Sequence, residues 1–127
     1  MKKISLLVFI IFLISPKVDA QKEIDKNKAF NLFLNELNAA LRTRDLKKVS
    51  NYVMSDRNAL VDIKYRLKNQ VQLQELLTAL KVKYVLSADD EWERVINFNS
   101  KTEYMAIYFS FKNGLWKVAE IATAPYD

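Results

Sequence analysis

Residues 102–123, TEYMAIYFSFKNGLWKVAEIAT, decide the fold because they hold two β-rich runs joined by Asn113-Gly114. Asn-Gly is the preferred pair for a two-residue type I′ turn, in which both central residues have positive φ. We therefore predict a β-hairpin with strands at 102–112 and 115–123. This is the strongest local structural signal in the chain.

A two-residue loop also sets the register of the hairpin, with Lys112 opposite Leu115. Phe109 then lies opposite Val118, and Ile107 lies opposite Glu120. The same face carries four more residues: Met105, Phe111, Trp116 and Ala122. Because this is the more apolar face, we expect it to meet the helices. Glu120 would then lie among apolar side chains, where a carboxylate is costly unless it is paired or protonated.

A second predicted turn places an arginine on the same face. If Ser100-Lys101 is also a two-residue loop, Arg94 lies opposite Ile107, and Arg94 and Glu120 flank Ile107 from two sides. The hypothesis is an Arg94–Glu120 polar pair inside an apolar ligand pocket. Its expected lining is Trp92, Arg94, Phe109, Trp116 and Glu120. Two alternatives stay open, a purely structural ion pair or a β-bulge that turns Glu120 outward.

Hydrophobic periodicity predicts the elements upstream of the hairpin. Asp45 is a candidate N-cap, and residues 58–68 alternate with a period of two, which favours a strand but leaves a helix open. The predicted helices are 25–43, 45–54 and 70–80. The other predicted elements are strands at 81–87 and 92–99 and a turn at 88–91. The fold class is therefore α+β, with N-terminal helices packed on a curved, mostly antiparallel sheet that ends in a β-meander.

The first 20 residues are typical of a cleavable secretory signal. Lys2 and Lys3 precede the 11-residue apolar run Ile4–Ile14, which is shorter than the roughly 20 residues that span a bilayer. Val18-Asp19-Ala20 offers a cleavage site. We predict a signal peptide at 1–20 and one α+β domain at 21–127, exported to the periplasm or outside the cell. An uncleaved anchor or a buried strand is the alternative.

Composition excludes several chemistries. The chain has no cysteine, which excludes disulfides, thiol catalysis and a lipid-anchor cysteine, and it has no histidine, which excludes His-based triads and the usual zinc sites. We expect no cofactor and no metal. Three of the 20 basic residues and one of the 15 acidic residues lie in the signal, which leaves a net charge of +3. Such a weak charge without a basic stripe predicts no nucleic-acid partner.

The order of helices and strands, with the motif Asn113-Gly114-Leu115-Trp116-Lys117-Val118, resembles the nuclear-transport-factor-2-like, or cystatin-like, superfamily. The resemblance implies a cone-like sheet with a pocket, found in isomerases, dehydratases, binding modules and dimerisation modules. Enzymes of the superfamily often use an Asp or Glu base with Tyr or His, and this chain has no His.

Three functions follow as hypotheses. The first is a non-catalytic binding domain for a small hydrophobic ligand. The second is a secreted protein-interaction domain of the inhibitor or immunity type. The third is an isomerase- or dehydratase-like enzyme with Glu120 as its base. A homodimer is compatible with each, and we expect no transmembrane segment in residues 21–127.

The signal-peptide prediction is tested by the intact mass of the protein purified from its own host. We expect the mass of residues 21–127, reduced by one ammonia if the amine of Gln21 has cyclised. A mass that still includes residues 1–20 would contradict the prediction and favour the anchor.

Overall fold

The computed structural model describes residues 26–82, 85–86 and 92–126. The chain divides between Leu32 and Phe33 into two compact units. Of the first unit, the described residues are 26–32, and they are helical. The helical residues 33–43, the other helices and the strands belong to the second unit.

Four helices fall within the described residues: 26–43 (α1), Leu46–Ser50 (α2), Ala59–Leu67 (α3) and Gln70–Ala79 (α4). The chain leaves α1 at Arg44, which has a φ of 58°. Asp45 then caps α2 by accepting a hydrogen bond of 3.0 Å from the amide of Lys47. Asn69 caps α4 in the same way. The predicted helix at 70–80 is confirmed, as is the one at 25–43 from residue 26 onward. Of the predicted helix at 45–54, residues 46–50 are helical, and Val53 instead forms a β-bridge with Val118.

The predicted strand at 58–68 is wrong, because this segment is helix α3. Its buried residues follow a helical spacing: Ala59, Ile63, Arg66 and Leu67. The apparent alternation arose from Val61 and Tyr65, which are exposed on the opposite side of the helix. The helix that the sequence left open is therefore the observed structure.

The sheet is antiparallel in the order β1-β2-β3-β4, where the strands are Val85–Leu86 (β1), Glu93–Asn99 (β2), Glu103–Lys112 (β3) and Leu115–Pro125 (β4). Helix α3 contacts β4, and α4 contacts β2. These contacts confirm the α+β class. Of the predicted strand at 81–87, residues 85 and 86 are strand and residues 81 and 82 form a turn. Residues 83, 84 and 87 and the predicted turn at 88–91 lie outside the described residues.

The Asn113-Gly114 hairpin is confirmed. Both residues have positive φ, 55° and 78°, and Lys112 pairs with Leu115. Phe111 opposite Trp116 and Phe109 opposite Val118 also follow the predicted register. This face of the sheet supplies much of the core, including Ile96, Ile107, Phe109, Val118 and Ile121.

A β-bulge corrects the second half of the predicted hairpin register. The pairing shifts between Tyr108 and Phe109, which leaves Ala119 as the extra residue on β4. Beyond it, Tyr108 pairs with Glu120, and Ile107 pairs with Ile121 rather than with Glu120. One extra residue reverses which face each later side chain occupies. Glu120 is therefore exposed on the outer face, and Ile121 enters the core.

The turn between β2 and β3 is longer than predicted. Asn99 pairs with Tyr104, so four residues instead of two separate the paired positions, and Arg94 lies opposite Phe109 instead of Ile107. Because this offset is two residues, Arg94 keeps its place on the core face, where it is 1% exposed.

The hairpin turn yields a stability prediction. A Cβ at Gly114 would meet no atom within 4 Å, so the cost of Gly114→Ala is the left-handed backbone alone, about 1 kcal/mol of unfolding free energy. Gly114→Asn should cost less, because asparagine tolerates this conformation. Denaturant unfolding measures the loss of unfolding free energy in both variants, and we expect the m-value to stay unchanged. Equal losses for the two variants would contradict the backbone explanation.

Candidate functional site

The structure brings four of the five predicted pocket residues to one end of the core face. Arg94 pairs across the strands with Phe109, and its guanidinium carbon lies 4.7 Å from the ring centre of Trp116. This is the geometry of a cation–π contact. Trp92 joins the group through Phe111, on which it stacks at 5.7 Å. A ligand-binding role for these residues stays a prediction.

Glu120 is the exception, and the predicted Arg94–Glu120 pair is wrong. The bulge at Ala119 places Glu120 opposite Tyr108 on the outer face, while Arg94 lies on the core face. The outward bulge that the sequence left open is the observed outcome. An exposed carboxylate lacks the desolvated environment that adjusts a general base, so the basis for the enzyme hypothesis on Glu120 is lost.

A different site lies between helix α4 and the turn that joins β2 to β3. An open cleft there has a volume of about 460 Å³. Helix α4 contributes Gln70, Val71, Gln74, Glu75 and Thr78 to its lining, and the sheet contributes Phe98, Asn99, Ser100 and Lys101. The lining thus combines apolar surface with amides, hydroxyls and two charged groups.

Glu75 is the unusual residue of this cleft. Its side chain is 9% exposed, and both carboxylate oxygens are buried. Among the residues that the structure describes, none donates a hydrogen bond to either oxygen. Buried polar groups are nearly always hydrogen-bonded, so a buried carboxylate without a described partner is an exception in this structure.

Arg66 holds the start of α4 beside the sheet. Its buried guanidinium donates from Nε to Asp62 at 2.6 Å, from Nη1 to the backbone and side-chain oxygens of Gln72 at 3.2 and 3.3 Å, and from Nη2 to Glu103 at 3.4 Å. These partners belong to α3, α4 and β3. One side chain therefore fixes both walls of the cleft relative to each other.

Ser100 shapes the turn that forms the sheet side of the cleft. Its hydroxyl donates to the carbonyl of Glu103 at 2.9 Å and accepts from the amides of Thr102 and Glu103 at 3.3 and 3.0 Å. The hydroxyl of Tyr126 donates to the carbonyl of Ser100, and the ring of Tyr126 packs edge-on against Tyr104 at 4.4 Å. Tyr126, which directly follows β4, thus stabilises this turn.

The environment of Tyr126 changes the pKa of its phenol. Desolvation raises the pKa of Tyr126 above its ordinary value, and Tyr104, Glu75 and Glu103 raise it further. The contribution of Glu75 places its negative charge within electrostatic reach of Tyr126.

Sequence reasoning missed Glu75 because its burial depends on tertiary packing. On α4 it lies beside the apolar positions Leu73, Leu76 and Leu77 and four residues before Ala79. A helical projection therefore places it at the border of the apolar face, a position that a solvated glutamate also occupies.

Comparison with family models, with curated proteins and with solved structures gives no match to this chain. Within the described ranges, no helix combines the length and apolar character needed to cross a membrane. The same residues contain no group of three or more His, Cys, Asp or Glu side chains arranged to hold a metal ion. The class that these observations define is a small α+β protein with an open cleft and a buried acid.

Tyr126 gives a pH-dependent prediction. Because its pKa is raised in the folded state, its contribution to stability is complete below about pH 10 and is lost as the pH rises through the folded pKa. The phenolate absorbance of the protein minus that of Tyr126→Phe should titrate with a midpoint above the ordinary tyrosine value. Glu75→Gln should lower this midpoint, because it removes one of the negative charges. A midpoint at or below the ordinary value would contradict the prediction.

Proposed function

We propose that this protein is an exported, non-catalytic binding domain that holds a small molecule in the cleft between α4 and the β2–β3 turn. The observation that carries the proposal is the cleft itself with Glu75 on its wall. Its volume of about 460 Å³ falls in the range of roughly 300–1,000 Å³ typical of small-molecule sites. Such sites combine apolar lining with a few placed polar groups, as Val71 and Phe98 do here with the neighbouring amides.

Binding rather than turnover is proposed because of the chemistry that the sequence offers. It contains no histidine and no cysteine, and Glu75 stands without a described partner that would activate it. A lone buried carboxylate can pair with a ligand, whereas general acid–base catalysis depends on positioned groups with matched pKa values.

Export and family membership belong to the same proposal. Export is supported by the basic start, the short apolar run and the small-residue site at Val18-Asp19-Ala20. Membership of the nuclear-transport-factor-2-like superfamily, with its cone-like curved sheet, is supported by the helices that precede consecutive antiparallel strands and by the Asn113-Gly114 hairpin. Fold alone does not name a ligand, so the cleft carries the functional argument.

A pair of valine variants tests the cleft. Val71 lines it and is 63% exposed, whereas Val61 on α3 is 73% exposed and belongs to no part of its lining. Val71→Trp should fill the cleft, and Val61→Trp should leave it open. The measurement is native mass spectrometry of each protein, purified mildly from its own host. We expect a small adduct, released on denaturation, in the parent and in Val61→Trp, and its loss in Val71→Trp.

Two results would overturn this assignment. An adduct retained by Val71→Trp would place the ligand elsewhere, and the group formed by Trp92, Arg94, Phe109 and Trp116 would be the next region to map. A stoichiometric protein companion in place of a small adduct would favour the protein-interaction function instead.

A further inference from the structure

We propose that the ligand of the cleft carries a protonated amine and that Glu75 supplies its counter-charge. This inference rests on the proposed function and specifies the chemical class of the ligand. It starts from the position of Glu75, which lines the cleft although both of its carboxylate oxygens are buried.

The hydroxyl groups around the cleft donate their hydrogens elsewhere. Thr78 donates to the backbone carbonyl of Gln74 at 2.8 Å, and Ser100 donates to that of Glu103 at 2.9 Å. Tyr126 donates to the carbonyl of Ser100. Each hydroxyl has one hydrogen to donate, so none of the three is left for Glu75.

No basic side chain among the described residues forms an ion pair with Glu75. The two salt bridges found among them both involve Arg66, whose carboxylate partners are Asp62 and Glu103. Lys101 lies at the rim of the same cleft, but it is exposed and makes no ion pair with Glu75. Glu75 is therefore a buried carboxyl group on the cleft wall for which the described residues supply no cationic partner.

A cationic ligand is the group that this arrangement favours. A buried carboxylate gains most from a partner that brings both positive charge and hydrogen-bond donors, and a protonated amine brings both. A neutral alcohol offers one donor without charge, and a carboxylate adds repulsion. Val71 and Phe98 supply apolar surface for the carbon skeleton of the ligand.

An organic cation fits better than a metal ion. Calcium takes six to eight oxygen ligands, usually from several carboxylates, and magnesium demands a near-ideal octahedral shell. Among the described residues no three acidic side chains converge, and Glu75 is the single acidic residue among those that line the cleft. The single carboxylate of Glu75 can pair with one ammonium group.

The experiment uses three probes of similar length and different charge: hexylammonium, hexanol and hexanoate. Each is titrated at pH 7 into the ¹⁵N-labelled protein, expressed from its full sequence and purified as the host makes it. We expect hexylammonium to shift amide signals of α4 and residues 98–101 at concentrations at least about tenfold lower than hexanol, because a charge-assisted hydrogen bond in a desolvated site exceeds a neutral one. Hexanoate should leave these signals unchanged.

Two glutamate variants form the matched control. Glu75→Gln keeps the size of the side chain and removes its charge, so the preference for hexylammonium over hexanol should disappear. Glu36→Gln removes an exposed carboxylate on α1 and should leave the preference intact. Lys101→Met provides a second test that leaves the buried position untouched. It should strengthen hexylammonium binding about twofold, because it removes a like charge at the rim.

The outcomes separate the two proposals. Equal binding of hexylammonium and hexanol by the parent protein, or a preference that survives Glu75→Gln, would overturn the amine assignment while the cleft remains a binding site. Weaker hexylammonium binding by Lys101→Met would also contradict the amine assignment. If no probe shifts the amides around the cleft, the cleft binds no such ligand, and the proposed function falls with the inference.

Discussion

The buried guanidinium of Arg66 is the interaction on which the proposed site depends. It joins Asp62 on α3, Gln72 in the first turn of α4 and Glu103 at the start of β3. A planar cation with donors at Nε, Nη1 and Nη2 fixes three elements in one geometry, which a flexible lysine would not do. The cleft lies between α4 and the turn leading into β3, so Arg66 bonds to residues next to both of its walls. The partly exposed carboxylates of Asp62 and Glu103 balance the charge of Arg66, whereas Glu75 has no ion pair among the described residues.

Two acidic residues show how the sheet and helices distribute charge. The extra residue Ala119 moves Glu120 from the core face to solvent, where its carboxylate is hydrated and costs little free energy. Glu75 remains buried on α4 without such relief. The fold therefore uses a bulge to avoid burying one carboxylate and retains another on the wall of a cleft.

The hairpin and three of the helices were predictable because their signals are local. Asn113-Gly114 specifies its own turn, and Asp45 caps the helix that follows it. The segment 58–68 was predicted wrongly because Val61 and Tyr65 imitate a strand pattern, and the burial of Arg66 becomes favourable only with partners from other elements. Of the candidate pocket, Arg94, Phe109 and Trp116 were placed on the correct face. The predicted position of Glu120 was wrong because of the bulge at Ala119. Glu75 was not predicted because its lack of a hydrogen-bond partner among the described residues depends on how the helices and strands pack.

In the proposed complex, Glu75 pairs with the cationic group of a ligand bound in the cleft. A crystal structure of the protein with bound hexylammonium would show whether this pair forms. We expect the ammonium nitrogen within about 3 Å of a carboxylate oxygen of Glu75, with the alkyl chain against Val71 and Phe98. An ammonium group bound elsewhere, or a Glu75 carboxylate paired with a protein donor such as Lys101, would rule out this role of Glu75.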